Sequence, residues 1–291
     1  MRVTNKMMAD NITAQLFRQT EMMAKTQEQI ITGKKINRAS DDPSGISSVL
    51  SYRKSIASLD QYNQNISDAR LNIDTVDNVL EMVSDQLNEA KQIAYDTEPS
   101  KRAEMAEQVA AIRDQVLQMA NYQIGGRYLF AGDATQTQPY NSTTWLYNGD
   151  AGTRDTVIGE NMQVNVTADG EAIFGPDHPA NVFNILNNLE AALTAVPVVP
   201  TDITDQISNL ESAVDRITTI RARNAGVYKR LEATANHYDY FKVNLQGMLS
   251  KTEDADTAEA IINFQVQQTT YESTLSTSSM ILQKSLIDFL R

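Results

Sequence analysis

Residues that break helices are distributed very unevenly along this chain. Eight of its twelve glycines and five of its seven prolines fall between Gly125 and Pro200. From Ser44 to Glu98 there is no proline and one glycine, and from Thr201 to Arg291 there is no proline at all. Proline removes a backbone donor and clashes with the preceding turn, so long proline-free stretches are where long helices can form. The pattern predicts long helices on either side of a turn-rich middle.

Apolar spacing places those helices. Asp42 suits an N-cap and Pro43 the first helical position, where a missing N–H does no harm. Tyr62, Ile66, Ala69, Ile73, Val76, Leu80, Val83, Leu87, Ala90 and Ala94 then alternate steps of four and three, a heptad seam. A helix is expected from Pro43 to about Thr97, ended by Pro99. A second is expected from about Ser100 to Ile124, stopped by Gly125-Gly126. A third spans Asn181 to Ala195, and a fourth is capped by Asp202 and runs to Gly247 or beyond.

The two ends carry weaker seams. Ile12, Leu16, Gln19, Met23, Thr26 and Ile30 form one stripe, closed by Gly33. Ile261, Phe264, Gln268, Tyr271, Leu275, Ser278, Leu282, Leu286 and Phe289 form another. Both are diluted with Gln, Thr and Ser, and isolated helices of this kind are marginal in water. They read as segments that order on a partner. The pairs Met7-Met8 and Met22-Met23 suit an adaptable partner surface as well as they suit a core.

The middle reads as β. Arg127 to Phe130 is a strand candidate, and Val164 with Val166, then Ala172 with Phe174, alternate with polar neighbours. Asn148-Gly149 and Asp169-Gly170 are hairpin signals. The expected fold is mainly α with a small β-rich insert, the long helices antiparallel and coiled, the N- and C-terminal helices paired. The expected divisions are 1–40 plus 246–291 as terminal assembly segments, 41–137 plus 180–245 as a long-helix core, and 138–179 as the β-rich domain.

Little in the chain points to chemistry. There is no cysteine, and His178 and His237 are the only histidines, so thiolate and histidine-rich metal sites are not expected. Phosphate-loop, dinucleotide, zinc-protease and hydrolase motifs are missing from the sequence. A formal net charge of −12 disfavours nucleic acid, no stretch approaches a membrane span, and the first 20 residues lack the apolar run of a cleaved signal. Asp41-Asp42 could serve acid–base work or a metal, but helix capping is the simpler use. Glu253, Asp254, Asp256 and Glu259 lack calcium-loop spacing and read as a capped, solvated helical turn. His237 reads as one polar residue in an aromatic packing cluster with Tyr238, Tyr240 and Phe241. Trp145 and Tyr147 could form a sugar platform, but a small β core needs such rings. No enzyme activity and no cofactor or metal are expected.

The string Ile31 to Gly45, with Gly33, Ile36-Asn37 and Asp41-Asp42-Pro43, closely resembles the N-terminal signature of the bacterial flagellin family. Leu275 to Arg291, with Leu282, Leu286 and Leu290, resembles that family's terminal helix. Arg127-Tyr128-Leu129-Phe130-Ala131-Gly132 and the ending Ser285 to Leu290 are similar to its hook–filament junction members more than to filament flagellins. The resemblance covers roughly residues 1–135 and 200–291. It implies an adaptor layer between hook and filament, exported through the flagellar type III apparatus to an extracellular position. A short filament-forming flagellin is the alternative. Implied partners are copies of the chain in a ring, the other hook-associated junction protein, filament flagellin and an export chaperone, without nucleic acid or membrane. Ile12, Leu16, Met23, Ile30, Leu275, Leu282, Leu286 and Phe289 become the assembly residues, with Asp41, Asp42 and Pro43 as a helix cap.

Charge follows the same division. Residues 139–215 hold one basic residue, Arg154, against eleven acidic ones, whereas residues 1–60 hold nine basic against six acidic. The acidity sits in the middle, where it favours solubility, and the near-neutral ends can pack against copies of themselves.

Overall fold

The computed structural model describes residues 5–96, 98–176 and 181–289. His178 lies outside them, and so do the side chains of Leu282, Leu286 and Phe289. Seven α-helices are present among the described residues: α1 (Asn5–Thr32), α2 (Pro43–Tyr95), α3 (Arg102–Ala120), α4 (Gly170–Phe174), α5 (Val182–Thr194), α6 (Pro200–Glu253) and α7 (Thr257–Phe289). Four short strands form two antiparallel pairs, β1 (Gln123–Ile124) with β2 (Arg127–Tyr128), and β3 (Asp155–Gly159) with β4 (Met162–Asn165). The mainly helical fold with a small β-rich insert is the one expected. The chain packs as two compact units, residues 1–58 with 240–291, and residues 59–239.

The second unit owns a conventional core. Every heptad residue of α2 from Ile66 to Ala94 is buried. Val109, Ile112 and Val116 of α3, Val182, Ile185, Leu186, Leu189 and Leu193 of α5, and Ile207, Leu210 and Ile217 of α6 join it. Asparagine starts α5: the Asn181 side chain accepts from the Phe183 N–H, as an N-cap should.

Polar pairs flank that seam at heptad spacing. Asn63 donates to Asp239, Arg70 to the Tyr228 hydroxyl, and Arg221 to Asp77 through two nitrogens, while Lys91 stands 3.9 Å from Glu211. Residues 63, 70, 77 and 91 rise along α2 while their partners descend along α6, so the helices run antiparallel. These are the positions beside the apolar seam that set pairing and register in coiled helices.

The turn-rich middle departs from the expected pattern in several places. Gly125-Gly126 does not stop α3, which ends at Ala120; both glycines have positive φ (56° and 78°) and form the turn between β1 and β2. Two adjacent positive-φ residues are what a tight two-residue hairpin of matching twist requires. Asp169-Gly170 is a helix start rather than a hairpin: the Asp169 carboxylate accepts from the Glu171 N–H. Ala172 and Phe174 are therefore helical, and a period of two over so few residues could not separate the alternatives. Asn148-Gly149 is likewise no hairpin turn; the Asn148 N–H donates to the Pro139 carbonyl beside a Tyr140–Tyr147 bridge. The β3–β4 turn falls at Glu160-Asn161. The fourth long helix begins at Pro200, so Asp202 sits in its first turn.

Aromatic rings close the middle onto the helices. Tyr140, Phe130, Phe174 and Phe183 are fully buried with centroids 4.9–5.8 Å apart, mostly edge to face. Trp145 packs beside this core with the Arg113 guanidinium 5.2 Å from its ring centre, so its face is already used. His237, in contrast, is exposed, as are Tyr240 and Phe241; only Tyr238 is held, donating to the Ile158 carbonyl. Of the expected aromatic cluster, the His237 ring stands 6.2 Å from that of Tyr238, which also meets Tyr62 at 6.0 Å, while Tyr240 and Phe241 are exposed.

Leu87→Ala in the α2 seam should lower stability by roughly 2–5 kcal/mol, the cost of a cavity in a closed core. Met82→Ala, at an exposed position of the same helix, should cost less than about 0.5 kcal/mol. Urea unfolding followed by circular dichroism separates the two.

Candidate functional site

The first unit is built differently. In α1 the residues withdrawn from solvent between Ile12 and Ile30 are Ile12, Leu16, Gln19, Met23, Thr26 and Ile30, with their neighbours Glu28 and Gln29. This is the stripe expected from spacing, and it packs on α7. The facing residues of α7 are Ala260, Phe264, Gln267, Tyr271, Thr274 and Ser278. The expected α7 stripe is thus corrected at three steps: Ala260, Gln267 and Thr274 face inward, while Ile261, Gln268 and Leu275 are exposed. Smaller and polar residues take the seam, which lets the two helices approach. The Gln19 side chain donates to the Gln267 carbonyl, fixing an antiparallel register.

The seam buries little. Large apolar side chains stand outside it, including Phe17 (71% exposed), Ile31 (74%), Ile262, Val266 and Leu275. Hydroxyls along α7 bond to their own helix: Thr269, Thr270, Thr274 and Ser278 each donate to the carbonyl four residues back.

What ties these two helices down is a polar joint at one end. Gly33 ends α1 with φ of +68°, the left-handed conformation in which glycine pays no steric penalty. The chain then bridges the α6–α7 turn. The Lys35 N–H donates to the Glu253 carbonyl at 2.7 Å, and the Ala255 N–H donates to the Gly33 carbonyl at 2.9 Å. Under this bridge the Glu253 side chain, 4% exposed, receives Lys34 at 2.6 Å and the Arg53 guanidinium. The acidic cluster therefore divides. Glu253 is a buried ion-pair partner rather than a solvated one, and Asp256 caps α7 by accepting from the Ala258 and Glu259 N–H groups. Sequence reasoning missed Lys34 and Arg53 and took Glu253 for a solvated residue, because their closeness depends on some 200 residues of intervening fold.

Asp41 and Asp42 complete the joint. The Asp42 carboxylate accepts from the N–H groups of Gly45 and Ser44 and from the Ser44 hydroxyl, with Pro43 opening α2. The Asp41 carboxylate pairs with Lys25 at 3.0 Å and accepts from the N–H groups of Asn37 and Arg38. Lys25 foremost, then those N–H groups, holds the Asp41 carboxyl below its usual range, and the Gly45 N–H does the same for Asp42. Both carboxylates are spent on local backbone and cation. No group of three or more His, Asp or Glu side chains able to hold a metal occurs among the described residues, and no helix there is long and apolar enough to cross a membrane. The arrangement holds and aims two helices; it does not assemble a nucleophile with a base.

The joint should fail asymmetrically. Lys34→Ala with Arg53→Ala strands a buried carboxylate and should cost about 3–5 kcal/mol, whereas Glu253→Gln leaves two half-exposed cations free to hydrate and should cost about 1 kcal/mol. Chemical denaturation with hydrogen exchange at Gly33–Lys35 reads both. A second expectation concerns acid. Carboxyls held below the ordinary value of 3.8 stabilise the fold above that value and lose this contribution as pH falls through their lowered folded values. Amide protection over residues 37–45 should therefore drop below about pH 4; Asp42→Ala should remove the part of that step at Ser44 and Gly45, and Asp41→Ala with Asp42→Ala together should abolish it.

Comparison with known proteins agrees with this architecture. Residues 3–135 match the bacterial flagellin N-terminal helical region, and residues 207–290 match the bacterial flagellin C-terminal helical region. The flagellar hook-associated protein 3 of Escherichia coli K12 is 25% identical over 94% of both chains. That of Salmonella typhimurium LT2 is 25% identical over the full length of both. A solved structure described as a putative flagellar hook-associated protein from Vibrio parahaemolyticus shares the fold, with a TM-score of 0.69 and 17% identity over 74% of this chain and all of that one. The two matched regions span most of the chain, including both helices of the joint: it belongs to the bacterial flagellin family.

Proposed function

We propose that the chain is a structural subunit of the bacterial flagellum, an adaptor layer that joins hook to filament by packing its terminal helices. The observation that carries this reading is the α1–α7 pair. Its internal seam is polar and thin, while Phe17, Ile31, Ile262, Val266 and Leu275 present apolar surface outward. Such surface on a soluble chain marks a place where other protein packs. The end-to-end similarity to proteins named flagellar hook-associated protein 3 supports the junction in particular.

In this reading Ile12, Leu16, Met23 and Ile30 hold α1 on α7, and Leu275, Leu282, Leu286 and Phe289 contribute to contacts with neighbours. Asp41, Asp42 and Pro43 set where α2 begins. The segments 1–40 and 246–291 assemble, and the acidic middle meets water. The neighbours are copies of the chain in a ring, the other hook-associated junction protein on one side and filament flagellin on the other. An export chaperone covers the terminal helices before assembly, and the final location is outside the cell. No reaction is catalysed.

Labelling intact flagella with an antibody to the 139–176 segment should give a single point at the hook–filament boundary. Label along the filament, or long homopolymers grown from purified protein, would instead identify a filament subunit. Removing residues 265–291 should abolish incorporation while leaving the unfolding transition of the 59–239 unit in place.

A further inference from the structure

Within residues 59–239, two surface features have complementary chemistry. The first is an open groove of about 340 Å³ between α2 and the β1–β2 hairpin. Its apolar wall is Leu71, 68% exposed, with the exposed Ile124 opposite. Arg127 and Arg154 border it; the Arg154 backbone N–H donates to the Thr167 hydroxyl and Arg127 pairs with Ile124 in the β1–β2 ladder, but neither guanidinium has a hydrogen-bond or ion-pair partner among the described residues. Asp68, the acid on its wall, is engaged by the Gln64 amide at 3.1 Å. In a stretch as acidic as this one, two unpaired guanidiniums beside bare leucine and isoleucine are a receptor for a carboxylate next to an apolar side chain.

The second feature is the β3–β4 hairpin. Its inner face is committed: Ile158 and Val164 are buried, the Asn65 amide donates to the Val157 carbonyl, and Tyr238 donates to the Ile158 carbonyl. Its outer face and tip are not. Val157 and Met162 are exposed large apolar residues, and Glu160 at the turn is exposed without an ion-pair partner. The tip offers what the groove lacks. It cannot reach the groove of its own chain, because Arg154 and Thr167 at the hairpin base line that groove while Glu160 lies about six residues along the strand, roughly 20 Å away.

We propose that the β3–β4 hairpin tip of one copy of this chain seats in the Arg127–Arg154 groove of the next copy. Glu160 pairs with the two guanidiniums, and Met162 and Val157 cover Leu71 and Ile124. A knob on one surface and a socket on another make a head-to-tail contact, which repeats around a ring when the rotation closes. This inference rests on the reading that the chain assembles with copies of itself.

The cysteine-free sequence makes the contact testable by disulfide trapping. The full chain carrying Arg127→Cys and Glu160→Cys is expressed in a flagellated strain lacking its own copy, and isolated flagella are oxidised. Dimers and higher multimers are expected from the double variant and monomers from each single one. In parallel, Glu160→Lys and the Arg127→Glu/Arg154→Glu pair should each lower incorporation about tenfold, and the three changes together should recover it to within about threefold. A double-cysteine chain that incorporates normally but stays monomeric overturns the contact, as does a Glu160→Lys chain that incorporates like the original. A disulfide to a different flagellar protein overturns the choice of a second copy. If the unmodified chain itself does not enter flagella, the assembly reading falls and this contact with it; normal entry without cross-links removes the contact alone.

Discussion

The terminal unit depends on one buried carboxylate. Glu253 lies beneath a short backbone bridge and draws Lys34 and Arg53 to it from opposite sides of the α1–α2 connection. The free energy of such a cluster is lopsided. Its formation adds little beyond what an apolar plug would supply, but removing its cations leaves a desolvated charge with nowhere to go. The joint therefore specifies geometry more than it adds stability. It fixes the end at which α1 and α7 meet and leaves the rest of their length to a thin, largely polar seam.

The second unit has the opposite economy. From Ile66 to Ala94 one helix contributes a buried residue at every step of a heptad; α3, α5 and α6 close over Val76–Ala94, while Ile66, Ala69 and Ile73 pack with Ile158 and Val164 of the β3–β4 hairpin and Leu231 of α6. Polar pairs at positions 63, 70, 77 and 91 restrict the register without entering the core. The two units thus differ in their energetics: one is closed by a continuous apolar core, the other leaves Phe17, Ile31, Ile262, Val266 and Leu275 in water.

The long helices could be read from the sequence because each signal was repeated. Ten heptad positions in α2 outweigh any single exception, and Asp42-Pro43 and Pro99 bound the helix from both ends. The α1 stripe was legible for the same reason. The α7 stripe was legible only in part, since Ile261 and Leu275 are more apolar than Ala260 and Thr274, yet the latter pairs face α1. Hydrophobicity ranks residues by their wish to leave water, not by which neighbour is available to receive them. In the middle, two-residue signals such as Asn148-Gly149 and Asp169-Gly170 were ambiguous between turns and caps, because the same short polar side chains serve both. The joint itself was invisible, for it unites residues 34, 53 and 253 by tertiary folding alone.

The hydroxyl groups of α7 carry a consequence of their own. Thr269, Thr270, Thr274 and Ser278 return their protons to the carbonyls of the preceding turn, so a stretch that looks polar in sequence asks nothing of its surroundings. The exposed surface of α7 is otherwise mixed, with Ile262, Val266 and Leu275 beside Gln265, Gln268 and Glu272. At the four hydroxyl residues themselves, a shift along or around the axis breaks no directional bond to a packing partner, because each bond stays inside the helix. The polarity of these four residues is thus an internal matter of the helix, and it leaves the four positions they occupy free of any donor that a packing surface would have to match.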